Sequence, residues 1–169
     1  MDINELLADL FARVDEHVHE ALDGLDPELL NQAPATGANP IGWLVWHLTR
    51  VQDHHMSELL GIDQVWVTGE WAAGCGVTGD PQNTGYGHTP EQVATIRPRS
   101  AQLLIDYHDA VAARTRGLLS STTESDLDRI VDRRWNPPVT LGVRLISVAD
   151  DDIQHAGQAC YVRGLLERR

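Results

Sequence analysis

Apolar residues return at three- and four-residue steps in four separate stretches of this chain, and that period commits it to helices. In the first stretch Ile3, Leu6, Leu7, Leu10, Phe11, Val14, Val18, Ala21, Leu22 and Leu25 share a face, with acidic residues, His17 and His19 largely between them. The second begins after Pro40, carries Ile41, Leu44, Val45, Leu48, Val51, His55, Met56 and Leu59, and ends at Gly61, a residue that stops helices. Leu103, Leu104, Tyr107, Val111, Ala112, Thr115 and Leu118 mark the third; Leu141, Leu145, Val148, His155, Ala159, Val162 and Leu166 mark the fourth. A helix with one apolar stripe is stable only when that stripe is covered, and four of them cover one another most economically as a bundle. The expected fold is therefore all-α, a four-helix bundle with long crossover loops. A chain of 169 residues suits one core, and residues 1–169 read as a single domain.

The connections are uneven. "GLDPELL" breaks the first period, with Asp26 as cap and Pro27 at a first-turn position of a short helical piece. Residues 61–88 are rich in glycine and keep no period, so they read as a long crossover, a plain connection more than a lid; Trp66, Trp71 and Tyr86 are expected to pack parts of it on the helices. "HTPEQ" carries a cap at Thr89, proline at the first helical position and Gln92 at the third, which is a helix-start signature. Pro98 limits that piece before the third long helix. "STTESDLDRIVDRRWNPP" reads as a second loop, with Trp135 as its anchor on the core.

Residues 139 to 168 admit two readings. "VTLGVRLISV" fits a strand followed by a helix that Asp150 caps, or the whole segment is one helix from about Thr140. The continuous helix is preferred, because a lone strand would leave its backbone groups unpaired.

Charge narrows the partners. The formal net charge is -12, and 13 Lys and Arg spread along the chain do not form the basic footprint that nucleic acid requires. No apolar run approaches the roughly 20 residues that span a bilayer. "MDINELLADLF" has no basic-then-apolar leader, so a cytoplasmic location is expected. Cys75 and Cys160 lie far apart without a CxxC or finger spacing, and are expected to remain reduced thiols without a chemical role.

Chemistry concentrates in "SVADDDIQHAGQACY". On one continuous helix Asp151 and His155 are four residues apart, on one face, and can share a metal ion. Asp150 and Asp152 are rotated about 100 degrees to either side and read as flanking, second-shell or solvated groups. A third ligand should come from another helix, and His47, beside the apolar stripe of the second, is the best candidate; His54 or His55, two turns beyond it, could serve instead, but adjacent residues face different directions and at most one looks inward. Two imidazoles and one carboxylate suit zinc first, with nickel or iron(II) behind it, and three protein ligands leave a position open for water or substrate. The competing reading makes the aspartates a helix start and His47 and His155 hydrogen-bonded core histidines. Tyr161 and Arg163 could meet an anion, although an arginine there more often complements the helix dipole.

"WLVWHL", "LLIDYHDAVAARTRGLL" and "DDDIQHAGQACYVRGLL", in this order and with the long loop between the first two, resemble the DinB-like superfamily of metal-binding four-helix bundles. The resemblance spans nearly the whole chain, and "HAGQ" is similar to the HxGQ segment that carries the last metal ligand in many members. It implies a divalent-ion site in which His47 and His155 occupy two of the usual histidine positions. Asp151 departs from the common pattern, standing where a histidine is usual; the branch of mycothiol-dependent maleylpyruvate isomerase is similar in placing a carboxylate there and still binding zinc.

The resemblance further implies a low-molecular-weight thiol, mycothiol or bacillithiol, as cosubstrate. The expected activity is thus a metal-dependent thiol S-transferase or isomerase acting on a small electrophile. A non-catalytic metal- or ligand-binding protein of the same fold, and a hydrolase that uses a metal-activated water, are the alternatives. Gln158 could orient a water or ligand, or simply pack. The expected partners are a small-molecule thiol and an electrophile, with neither nucleic acid nor membrane, and a homodimer is left open.

Overall fold

The computed structural model describes residues 2–168. Helix α1, Ile3–Leu22, starts where Asp2 accepts from the Glu5 amide and the Glu5 carboxylate accepts from the Asp2 amide, a reciprocal cap. One-turn helix α2, Pro27–Leu30, begins at the Asp26 cap, and α3 runs Ile41–Leu60 to Gly61 in the left-handed conformation. The crossover contains two one-turn helices, α4 (Val65–Thr68) and α5 (Trp71–Gly74), that its irregular hydropathy did not predict. Helix α6, Pro90–Val93, has the expected Thr89–Gln92 capping box, and α7, Ala101–Ser121, starts at the Ser100 cap.

After α7, the segment read as a plain loop holds a short 3₁₀ turn and strand β1 (Ile130–Asp132), which pairs antiparallel with β2 (Val139–Thr140). Helix α8 then runs Leu141–Leu166 without interruption from the Thr140 cap. The preferred continuous helix from about Thr140 is the observed one. The strand before it is two residues long and pairs with β1, and Asp150 lies inside the helix rather than at its start.

The long helices α1, α3, α7 and α8 form the bundle. Helix α3 packs on α7 and α8, and α1 packs on the same two, so α1 and α3 are diagonal. Helix α3 is buried on nearly every side along its first half, from Ile41 to Arg50. Two apolar clusters fill the interior. One is built around Trp46, Leu104, Val18 and Ala156, the other around Phe11, Met56, Leu118 and Leu145; each fully buried aliphatic chain contributes about 1.5–3 kcal/mol.

Between the clusters runs a polar layer. His108 Nε2 lies 3.0 Å from Asp15 Oδ1, Thr49 Oγ1 lies 3.2 Å from His108 Nδ1, and the Gln52 amide donates to Thr115 at 2.7 Å. Two aromatic anchors expected from the sequence are not anchors, since Trp135 is 65% and Tyr86 91% exposed, whereas Trp66 is buried. No helix among the described residues is long and apolar enough to cross a membrane.

Candidate metal centre

His47 on α3 and Asp151 and His155 on α8 come together at the face where these two helices pack. One ligand atom of each lies within 4.8 Å of the others. His47 Nε2 is 3.8 Å from Asp151 Oδ2, and His155 Nε2 is 3.7 Å from Asp151 Oδ1. The two imidazoles meet edge to face with centroids 4.6 Å apart. Continuity of α8 is what aligns Asp151 with His155, one turn apart on one face.

Each histidine has its other nitrogen occupied. The Thr84 carbonyl accepts from His47 Nδ1, and Gln158 Oε1 accepts from His155 Nδ1 at 2.9 Å. A carbonyl oxygen has no proton to give, so both rings carry the hydrogen on Nδ1 and turn an Nε2 lone pair toward Asp151. Histidines that hold metals are oriented in this way. Burial holds His47 below the ordinary histidine value, against the opposite pull of the Thr84 carbonyl and Asp151, which favours the neutral ligand form. Trp43 stacks on the His47 ring at 4.7 Å and 15° and closes one side of it.

Asp151 Oδ2 is buried without a hydrogen-bond partner. A buried carboxylate oxygen left unpaired is costly, and two imidazole lone pairs beside it offer no proton. A cation suits all three atoms, so the donor set fits a divalent ion.

Two other clusters among the described residues do not fit as well. His54, His55 and Glu58 also gather, but Arg144 Nη1 lies 3.2 Å from His55 Nδ1, and burial together with this guanidinium pushes the His55 pKa down to about 3. His17, Glu20 and Cys160 lie at the surface, and burial raises the Cys160 thiol. Cys75 is buried, and burial pushes its thiol up to about 12.

The aspartate run divides three ways. Asp150 is exposed and accepts from Gln154 at 2.9 Å. Asp152 is neither flanking nor solvated. It points into the bundle, fully buried, with both oxygens unpartnered, and burial, then Asp151 and Asp15, raise its pKa well above the carboxylate range.

A cleft of about 310 Å³ reaches Asp151 from outside, between Val51, His54 and His55 on α3, Ser147 and Val148 on α8, and Tyr86. Sequence reasoning missed Thr84, which acts through its backbone, and Trp43. Arg163 donates to the Glu20 and Asp23 carbonyls at the end of α1.

The sequence pattern of the DinB superfamily matches residues 10–159, most of the chain and all three of these residues. The chain belongs to the DinB superfamily. A crystal structure from Enterococcus faecalis, described as a conserved protein of its locus, superposes with a TM-score of 0.90 at 32% identity, covering 100% of this chain and 99% of that one. Among curated proteins there is no significant match. DinB membership thus accounts for the bundle and its connections.

Proposed function

We propose that this DinB-superfamily protein is a divalent-metal-dependent thiol S-transferase or isomerase that acts on a small electrophile. The observation that carries the reading is the convergence of two Nε2 lone pairs on one carboxylate, that of Asp151, whose Oδ2 is buried without a partner. His47 and His155 would hold the ion through Nε2 and Asp151 through its carboxylate. Zinc suits this donor set best, and three protein ligands mark an open site more than a structural one. An ion held there would supply Lewis acidity that lowers the pKa of a coordinating thiol, so that it would be a thiolate at neutral pH.

The chain's own residues do the rest. Thr84 and Gln158 hold the two rings in the ligating tautomer, Trp43 keeps water from one face of His47, and Asp151 offsets charge inside a half-buried site. The cleft at Asp151 is at the lower end of the range for small-molecule sites, which suits a compact electrophile. Val51 and Val148 give it apolar lining, and His54 and Tyr86 give it polar groups.

The test combines metal analysis with thiol chemistry. Protein purified without a metal-affinity tag is expected to hold one equivalent of zinc that His47→Ala and His155→Ala lose. Consumption of mycothiol or bacillithiol by a model electrophile is expected to exceed the uncatalysed rate and to vanish in Asp151→Ala. Stoichiometric metal in both histidine variants sinks the site; bound metal with no thiol consumption leaves a binding protein of this fold.

A further inference from the structure

Arg50 is fully buried, three residues along α3 from His47, and plays no part in holding a metal. Its guanidinium is nonetheless almost fully used. Nε donates to the Asn83 carbonyl at 3.1 Å and Nη2 to the Pro81 carbonyl at 3.0 Å. Nη1 reaches Tyr107 Oη at 3.2 Å and Asp53 Oδ2 at 3.4 Å, and the cation lies 4.9 Å from the Trp66 ring centroid.

Asp53 completes the arrangement at the other end of the crossover. It accepts from the Val65 and Trp66 amides at 2.9 and 2.8 Å, capping α4 from a different helix, and from Tyr107 Oη at 2.8 Å. One buried ion pair therefore fixes both ends of the segment between α3 and α6. A buried pair like this is weak evidence for stability, because desolvation offsets much of its attraction. Its directional donors point instead to a geometric task.

That task lies one residue further on. The carbonyl after those of Pro81 and Asn83 belongs to Thr84, which accepts from His47 Nδ1. Next comes Gly85, at φ +92°, where an added Cβ would lie 2.8 Å from both His47 Nδ1 and the Trp46 ring. Only glycine lets the strap run this close to the His47 ring.

We propose that Arg50 is a positioning residue: by gripping the Pro81 and Asn83 carbonyls it sets where the Thr84 carbonyl meets His47, and so fixes which ring nitrogen faces Asp151 and His155. The assignment rests on the metal-site reading of that triad, but its first readout needs no ion. Lysine at position 50 keeps the charge opposite Asp53 yet cannot reproduce the fork that holds two carbonyls at once. Alanine at position 85 displaces the strap while leaving Arg50 and Asp53 intact.

The experiment records the long-range ¹H–¹⁵N spectrum of histidine-labelled, metal-free protein for wild type, Arg50→Lys, Gly85→Ala and the double variant, then titrates each with Co²⁺. In the wild type His47 is expected as the Nδ1–H tautomer alone. Both single variants are expected to show mixed tautomers and a Co²⁺ dissociation constant raised by roughly 10–100-fold, the usual cost of losing an outer-shell partner. The double variant is expected to lose little more than the worse single one, since both act through one strap.

A retained Nδ1–H tautomer in the folded variants, or a dissociation constant within about twofold of wild type, which is the scatter of independent sites, overturns the proposal. Should Arg50→Lys not fold, Arg50→Gln, which also lacks the fork, takes its place in both readouts. Should wild type take up no Co²⁺, the metal reading falls, and the tautomer alone decides the role of Arg50.

Discussion

His155 Nδ1 lies 2.9 Å from Gln158 Oε1, one turn further along α8, and this bond turns the Nε2 lone pair of His155 toward Asp151. Gln158 is thus an orienting group for the ring rather than a packing residue. Gln158→Leu removes the acceptor while keeping the volume, and is expected to raise the Co²⁺ dissociation constant by roughly 10–100-fold. Gln158→Glu, which retains an acceptor, is expected to recover most of the affinity. Competition against a chromophoric chelator measures both; unchanged affinity in the leucine variant removes Gln158 from the site.

His55 predicts a pH dependence of stability. Burial and the Arg144 guanidinium take its pKa from 6.5 to about 3. The unfolded chain then binds a proton that the folded chain refuses as the pH drops below 6.5, so stability falls with acidification across that window and levels off below about 3. One such group contributes a slope of up to about 1.4 kcal/mol per pH unit. His55→Gln is expected to flatten the dependence by that amount in urea titrations run between about pH 7 and pH 4. Parallel curves for the two proteins would show that His55 protonates freely in the fold.

Arg163 gives a prediction of stability alone. It donates through Nη1 to the Glu20 and Asp23 carbonyls, both at 2.8 Å, and through Nε to Glu167 at 2.7 Å. These carbonyls lie at the end of α1, where intrahelical partners run out. Arg163→Ala is expected to cost about 1–3 kcal/mol, and Arg163→Lys to recover only part, because one ammonium cannot span both acceptors and Glu167 as the fork does. Chemical denaturation of the three proteins tests this, and a loss fully restored by lysine would reduce the contact to charge alone.

The parts of the site legible in the sequence are those that depend on helical period. Asp151 and His155 share a face because α8 is continuous, and His47 follows from its place beside the stripe of α3. What stayed hidden acts through the backbone or against type. Thr84 contributes a carbonyl, which any residue carries, and Gly85 matters for the Cβ it lacks. Arg50 and Asp152 are ionisable residues fully buried within helices, where the period alone places none. Trp135 and Tyr86 err in the opposite direction: a large ring invites burial, yet nothing in the loops that carry them draws these two inside.

Metal bound by His47, Asp151 and His155 is expected to stabilise the fold. A ligand that binds only the folded state stabilises it by mass action, about 2.7 kcal/mol at a hundredfold excess over its dissociation constant. For a domain of this size that corresponds to a rise in Tm of roughly 5–10 °C. Zinc or Co²⁺ added to chelator-treated protein is expected to give this rise, and fresh chelator to reverse it. Asp151→His supplies a third imidazole four residues before His155 and is expected to retain the shift, while Asp151→Ala, His47→Ala and His155→Ala abolish it. A rise that persists in both histidine variants would locate the ion elsewhere in the bundle and dissolve the link between these three residues.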